Sequence, residues 1–118
     1  MIRVLIADDH GIVRSGLRML IERQNDMQVV AEADDGVAAL ESTQAKRPDV
    51  AVLDVSMPRM TGLQAAREIT QRRPEVRVLM LSMHDNEQYL FEAIRMGASG
   101  YVLKSAVDRD LVEACRAA

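Results

Sequence analysis

Five short apolar runs, each followed by an apolar pattern at helical spacing, decide what this chain can fold into. The runs are Ile2 to Ala7, Met27 to Ala33, Val50 to Leu53, Val76 to Leu81 and Gly100 to Leu103. Four to seven residues is strand length, and β-branched valine is common in them. Val13, Leu17, Leu20 and Ile21 recur at i, i+4, i+7 and i+8, which predicts an amphipathic helix over residues 11–23. Val37, Leu40 and Ala45 mark a second helix closed before Pro48. Leu63, Ala66 and Ile69 mark a third that stops before Pro74. Tyr89, Leu90, Ala93 and Ile94 mark a fourth, ended by Gly97 in the usual C-terminal glycine position, and Val107, Leu111, Ala114 and Cys115 begin a fifth. The strand–helix units repeat at roughly 20 to 26 residues, and such alternation implies an α/β fold with a parallel sheet covered by helices on both faces. Right-handed crossovers then bring all five strand C-termini to one edge.

The third run is the most telling. Val50-Ala51-Val52-Leu53 is continuously apolar, bounded by Pro48 and Pro58, and so reads as a strand buried on both faces. It ends in Asp54. Taken alone, an aspartate there could simply start the next loop. The other strand ends change the reading. The first run delivers Asp8-Asp9-His10, the fourth ends at Ser82 and the fifth at Lys104. Ligands of open parallel sheets bind outside the carboxyl ends of the strands.

Three carboxylates, a hydroxyl and an ammonium on one edge form a chemical set. Clustered anions repel and raise one another's pKa unless a cation joins them. Lys104 supplies one positive charge and a divalent ion two more. Oxygen-only ligands point to Mg²⁺, which favours phosphate-bearing substrates. Metal, carboxylates, lysine and hydroxyl together suit reception of a phosphoryl group, with a carboxylate as nucleophile. Asp54, alone on its strand between the acidic pair and the lysine, is the expected acceptor. Lysine is also rare here: of 15 basic side chains, only Lys46 and Lys104 are not arginine. A compact ammonium, not a planar fork, is what position 104 calls for.

Composition closes other routes. A chain of 118 residues fits one domain, residues 1–118. Aromatics are only 3%, so the core must be aliphatic. A formal charge of −3 and dispersed arginines argue against this chain holding nucleic acid itself, and Arg72-Arg73 reads as a solvated helix end. No apolar run is long enough to span a bilayer, and no membrane partner is expected. The single cysteine, Cys115, has the spacing of a buried helix face and suits a reducing cytoplasm. No Gly-x-Gly-x-x-Gly follows the first strand, which excludes a dinucleotide site.

These residues resemble the receiver domain of a bacterial two-component response regulator along essentially the whole chain. The likeness is carried by Val4-Leu5-Ile6-Ala7-Asp8-Asp9-His10, Leu53-Asp54-Val55-Ser56-Met57-Pro58 with Gly62 after it, Leu81-Ser82, and Gly97 to Lys104. Asp-Asp-His, the run from Leu81 to Asp85 and Gly-Ala-Ser-Gly-Tyr-Val-Leu-Lys are similar to the NarL/FixJ (LuxR-type) class. The resemblance implies a flavodoxin-like (CheY-like) doubly wound five-stranded parallel sheet of order 2-1-3-4-5. It implies that Asp54 accepts phosphate from a sensor histidine kinase. Asp9, Asp54 and the main-chain carbonyl of Ser56 would ligate Mg²⁺, with Asp8 acting mainly through water. Lys104 would pair with phosphoryl oxygens, while Ser82 and Tyr101 would act as the switch. A helix-turn-helix output domain is expected beyond Ala118, so that DNA is a partner only through a segment absent from this chain. Homodimerisation on phosphorylation is expected too. Many receivers follow the lysine with a proline in a cis peptide bond; Ser105 stands here, where a cis bond costs about 2.5–4 kcal/mol.

Rival readings exist. A phosphohydrolase working through an aspartyl-phosphate, of the haloacid-dehalogenase kind, needs an Asp-x-Asp pattern on the first strand, which Asp8-Asp9-His10 lacks. A stand-alone receiver acting through protein contacts keeps every site residue. His10 reads either as a metal or water positioner or as an exposed helix-start residue, and His84 as a phosphate neighbour or a solvated loop residue.

Overall fold

The computed structural model describes residues 1–83 and 87–118. Its strands are β1 (Ile2–Ala7), β2 (Met27–Ala33), β3 (Val50–Asp54), β4 (Arg77–Ser82) and β5 (Gly100–Leu103), and its α-helices are α1 (Gly11–Glu22), α2 (Gly36–Lys46), α3 (Gly62–Arg72), α4 (Glu87–Arg95) and α5 (Val107–Ala117). All strand pairs are parallel. Their order is β2-β1-β3-β4-β5, as the resemblance implied. His84 lies outside the described residues.

Strand periodicity builds two cores. Leu5, Ala51, Leu53, Val78 and Met80 face α2, α3 and α4, where Ala39, Leu40, Ala65, Ala66, Ile69 and Ala93 meet them. Val4, Ile6, Val50, Val52, Leu79 and Leu81 face the other way, toward Leu17, Ile21, Leu111 and Cys115 of α1 and α5. Side chains that alternate faces while both faces are covered explain the continuous apolar runs. Every residue of β3 is buried.

That alternation also positions the site. Val4 pairs with Val50 and Ala7 with Leu53, so continuing the register by one residue sets Asp8 beside Asp54. Asp8, Asp54 and Lys104 share parity with Val4, Val52 and Val102, all in the α1/α5 core. Their side chains therefore emerge on one face of the sheet edge.

Helix boundaries follow local chemistry. Thr61 and Gln64 form a reciprocal capping box at α3, and Asp35 accepts from the Ala38 N–H at the start of α2. Gly97, at φ +94°, ends α4 with Gly97 N–H donating to Ile94 and Ala98 N–H to Ala93, the paired bonds of a glycine C-cap. Three features escaped the sequence reading. Lys104–Ala106 form a 3₁₀ turn before α5. The β1/β2 register slips between Val4 and Leu5, leaving Val30 as an extra residue. Arg59 takes a left-handed conformation at φ +65°, a region that normally disfavours a side chain. No peptide bond among the described residues is cis, Lys104–Ser105 included.

Candidate functional site

The strand ends form a cavity of about 190 Å³ lined by Asp9, His10, Asp54, Val55, Ser56, Ser82, Met83 and Lys104. Asp8, with no solvent exposure, lies next to it against the same lysine. One lysine holds the centre together. Lys104 Nζ lies 2.9 Å from Asp8 Oδ2 and 3.1 Å from Asp54 Oδ2. It donates a hydrogen bond to Asp54, whereas its contact with Asp8 Oδ2 is an ion pair outside hydrogen-bond geometry. Asp8 Oδ2 is thus a fully buried anionic oxygen without a hydrogen bond, and burial of that kind is costly unless another cation joins it.

The acidic pair is pinned from other sides as well. Asp8 Oδ1 accepts from the His10 N–H at 2.9 Å, and Arg14 reaches back from α1 to donate to the Asp8 carbonyl at 2.7 Å. His10 Nδ1 stands 3.0 Å from Asp9 Oδ1 and 3.3 Å from Asp8 Oδ1. The histidine is exposed and begins α1 without capping it by its side chain. It has features of both readings entertained for it.

Burial and charge pull the titrations apart. Burial pushes the Asp54 carboxyl above its ordinary value, and the Asp8 charge adds to this; the Lys104 hydrogen bond and charge and the Ser56 N–H oppose it without prevailing. For Lys104, burial opposes the charged form, but the close carboxylates of Asp8 and Asp54 outweigh it and raise its pKa. The centre is a short-handed arrangement: three carboxylates against one ammonium.

Asp8, Asp9, His10 and Asp54 each offer a ligand atom within 4.8 Å of the others. Three carboxylates, one of them with a buried oxygen that accepts no hydrogen bond, fit a hard divalent cation. The cluster can therefore hold a metal ion.

Ser56 has an exposed side chain and sits in the loop after β3. Ser82 is buried at the end of β4, and Tyr101 is half-buried against the α2/α3/α4 core. The geometry thus gathers Asp9, Asp54, Ser56, Ser82 and Lys104 around one cavity, with Asp8 buried against Lys104 and Tyr101 apart on β5. Gly62 matters more than its place in a motif suggested. A Cβ there would lie 1.7 Å from the Asp54 carbonyl oxygen, so the helix start packs directly on the backbone of Asp54. Arg14 and Gly62 were not assigned roles from sequence. A glycine eight residues past a strand-end aspartate was the only available signal.

A parallel sheet of this order, with an acidic cavity at its strand ends, is the architecture of a receiver domain, and the comparisons agree. The response regulator receiver domain family matches residues 4–116, and the chain belongs to it. Oxygen regulatory protein NreC of Staphylococcus aureus is 47% identical over 97% of this chain and 53% of its own length. The chain thus spans about half the length of the curated relatives it matches. A two-component response regulator of the LuxR family from Aurantimonas sp. superposes with a TM-score of 0.94 at 40% identity, covering 99% of this chain and 84% of that one. The response regulator domain of Thermotoga maritima CheB gives 0.93 at 32% identity over 100% and 96%. No helix among the described residues is long and apolar enough to cross a membrane.

Proposed function

We propose that the chain is the phosphoacceptor module of a transcriptional response regulator, with Asp54 as acceptor. The observation that carries this reading is the Lys104 bridge between buried Asp8 and Asp54 beside the cavity at the strand ends. In the reaction, an Asp54 carboxylate oxygen bonds to phosphorus while the P–N bond to a sensor kinase's histidine breaks, and the imidazole leaves with a proton. Asp9, Asp54, the Ser56 carbonyl and Asp8, the last through water, would hold Mg²⁺. Bound there, Mg²⁺ supplies neutralisation of phosphoryl charge. Lys104 already faces Asp54 and would follow the phosphoryl oxygens. Ser82 would donate its hydroxyl to the phosphate, and Tyr101 would pack inward behind it, biasing the α4/β5 surface.

The chain promotes its own phosphorylation and dephosphorylation and is not a turnover enzyme. Its likeness to LuxR-family two-component response regulators, one of them described as DNA-binding, supports control of transcription; a sensor histidine kinase as donor, a cytoplasmic setting and a DNA-binding domain beyond Ala118 belong to the same proposal. Homodimerisation on phosphorylation completes the proposal. Intact mass after incubation with Mg²⁺ and acetyl phosphate tests the centre: wild type gains one phosphoryl group and Asp54→Asn gains none. Equal incorporation in the variant would move the acceptor elsewhere.

A further inference from the structure

The loop from Val55 to Thr61 carries Ser56 into the acidic cavity and then returns to α3. Its return is pinned to the site's own backbone, with Gly62 N–H donating to the Val55 carbonyl at 2.9 Å. Its far tip is held by another element altogether. Arg59 donates Nε to Asp35 Oδ2 at 2.8 Å, and its Nη2 lies 2.6 Å from the same oxygen. Asp35 is buried, and its other oxygen accepts from Ala38 N–H at the start of α2. Below the pair, the backbones nearly touch: a Cβ on Gly36 would lie 2.1 Å from the Met60 carbonyl oxygen.

Arg59 adopts the left-handed conformation that favours glycine, directly after Pro58. A side chain is kept at that backbone position, and its guanidinium spans to a carboxylate 24 residues away in sequence. A residue needed only for the turn would serve better as glycine. A surface arginine without a task would not be aimed at a buried aspartate already committed to a helix cap.

We infer that Asp35 and Arg59 are positioning residues: their latch holds the loop so that the Ser56 main chain meets the cation in the acidic cavity. The inference rests on the proposed phosphoacceptor reading and adds a control on it from outside the cavity. Neither residue touches the metal or the phosphoryl group. Loosening the latch lets the loop drift by fractions of an ångström, which a ligand carbonyl feels and a helix core does not.

The test is calorimetric titration of the 118-residue chain with Mg²⁺, for wild type, Arg59→Gly, Asp35→Asn and the double variant. Arg59→Gly removes the latch yet suits the left-handed turn, and Asp35→Asn keeps an oxygen for the Ala38 cap. Each single variant is expected to bind Mg²⁺ about fivefold more weakly, and the double variant no more weakly than either, because both act through one contact. Arg59→Lys should fall between, since it keeps charge without the fork. Thermal midpoints in chelator should stay close to wild type for Arg59→Gly. Unchanged Mg²⁺ affinity in both single variants, or losses that add in the double, would overturn the latch while leaving the phosphoacceptor reading intact. If a single variant unfolds, Arg59→Asn, which tolerates the same backbone, decides by the same titration. Wild type that binds no Mg²⁺ would overturn both ideas together.

Discussion

The two ends of the sheet treat their aspartates in opposite ways. At the strand C-termini, Asp54 is buried, crowded by Asp8, and held above its ordinary pKa by burial despite Lys104. Beyond the opposite end, just before β2, Asp26 receives two bonds from the Arg116 fork at 2.9 and 3.1 Å, and the arginine's hydrogen bond holds its carboxyl below the ordinary range. Arg116 is further occupied by Glu113 and Gln24. One aspartate is satisfied and half in solvent; the other is dry and has to share its cation. Stability is served by the first arrangement. The second leaves a deficit of positive charge that an incoming divalent cation can fill and that a transferred phosphoryl group would deepen, and that deficit is what makes the site responsive.

The sharpest way to break this contrast is to remove the shared cation. Lys104→Met strands two adjacent buried carboxylates, and urea denaturation in chelator should show a loss of about 2 kcal/mol, below the range for fully buried pairs because the ammonium keeps some solvent. Added Mg²⁺ should recover much of it, since a divalent ion replaces the missing charge. A variant as stable as wild type without metal would mean that the acidic cluster is not short of charge.

Much of this was open to reading before any geometry. Continuous apolar runs such as Val50 to Leu53 occur because parallel strands are covered on both faces, so the fold declared itself through periodicity. The site followed, because strand ends are read directly off those runs. The rest depends on partners chosen across space. Arg59 was one arginine among thirteen, and nothing local announces that it reaches Asp35. Gly62 stands in a recognisable motif, yet its reason, a carbonyl 1.7 Å from where a Cβ would be, exists only in the folded chain. The 3₁₀ turn at Lys104–Ala106 has no periodicity long enough to detect.

Acid titration sharpens the comparison with a smaller effect. Asp54 keeps its proton to higher pH when folded than when unfolded, so stability falls as pH rises through the window above its ordinary value. Asp26 does the reverse: its contribution is present above the ordinary value and is lost as pH falls through its lowered folded pKa. In metal-free buffer at neutral pH, Asp54→Asn should therefore be more stable than wild type, by about 1 kcal/mol, because a dry anion is removed. The gain should shrink as pH falls and wild-type Asp54 takes up its proton. A denaturation series from pH 7 to pH 4 checks both the sign and the trend. Destabilisation by Asp54→Asn at pH 7 would place the site in the same class as Asp26.

The smallest expected effect lies at Asp26 itself. Its pair with Arg116 is well aligned, but both side chains stand partly in water, where ion pairs gain little and salt screens what they gain. Asp26→Asn should lower the thermal midpoint only slightly at low ionic strength. In 1 M salt, where the screening length is about 3 Å, the difference from wild type should nearly vanish. The Lys104→Met penalty should persist in the same salt, because Asp8 is sealed from solvent and mobile ions reach it poorly. Differential scanning calorimetry of both variants at two salt concentrations, in chelator throughout, separates the two ends by this criterion alone. If salt erases the Lys104 penalty as readily as the Asp26 one, the site's charges are solvent-screened, and the opposition between a satisfied end and a short-handed end fails.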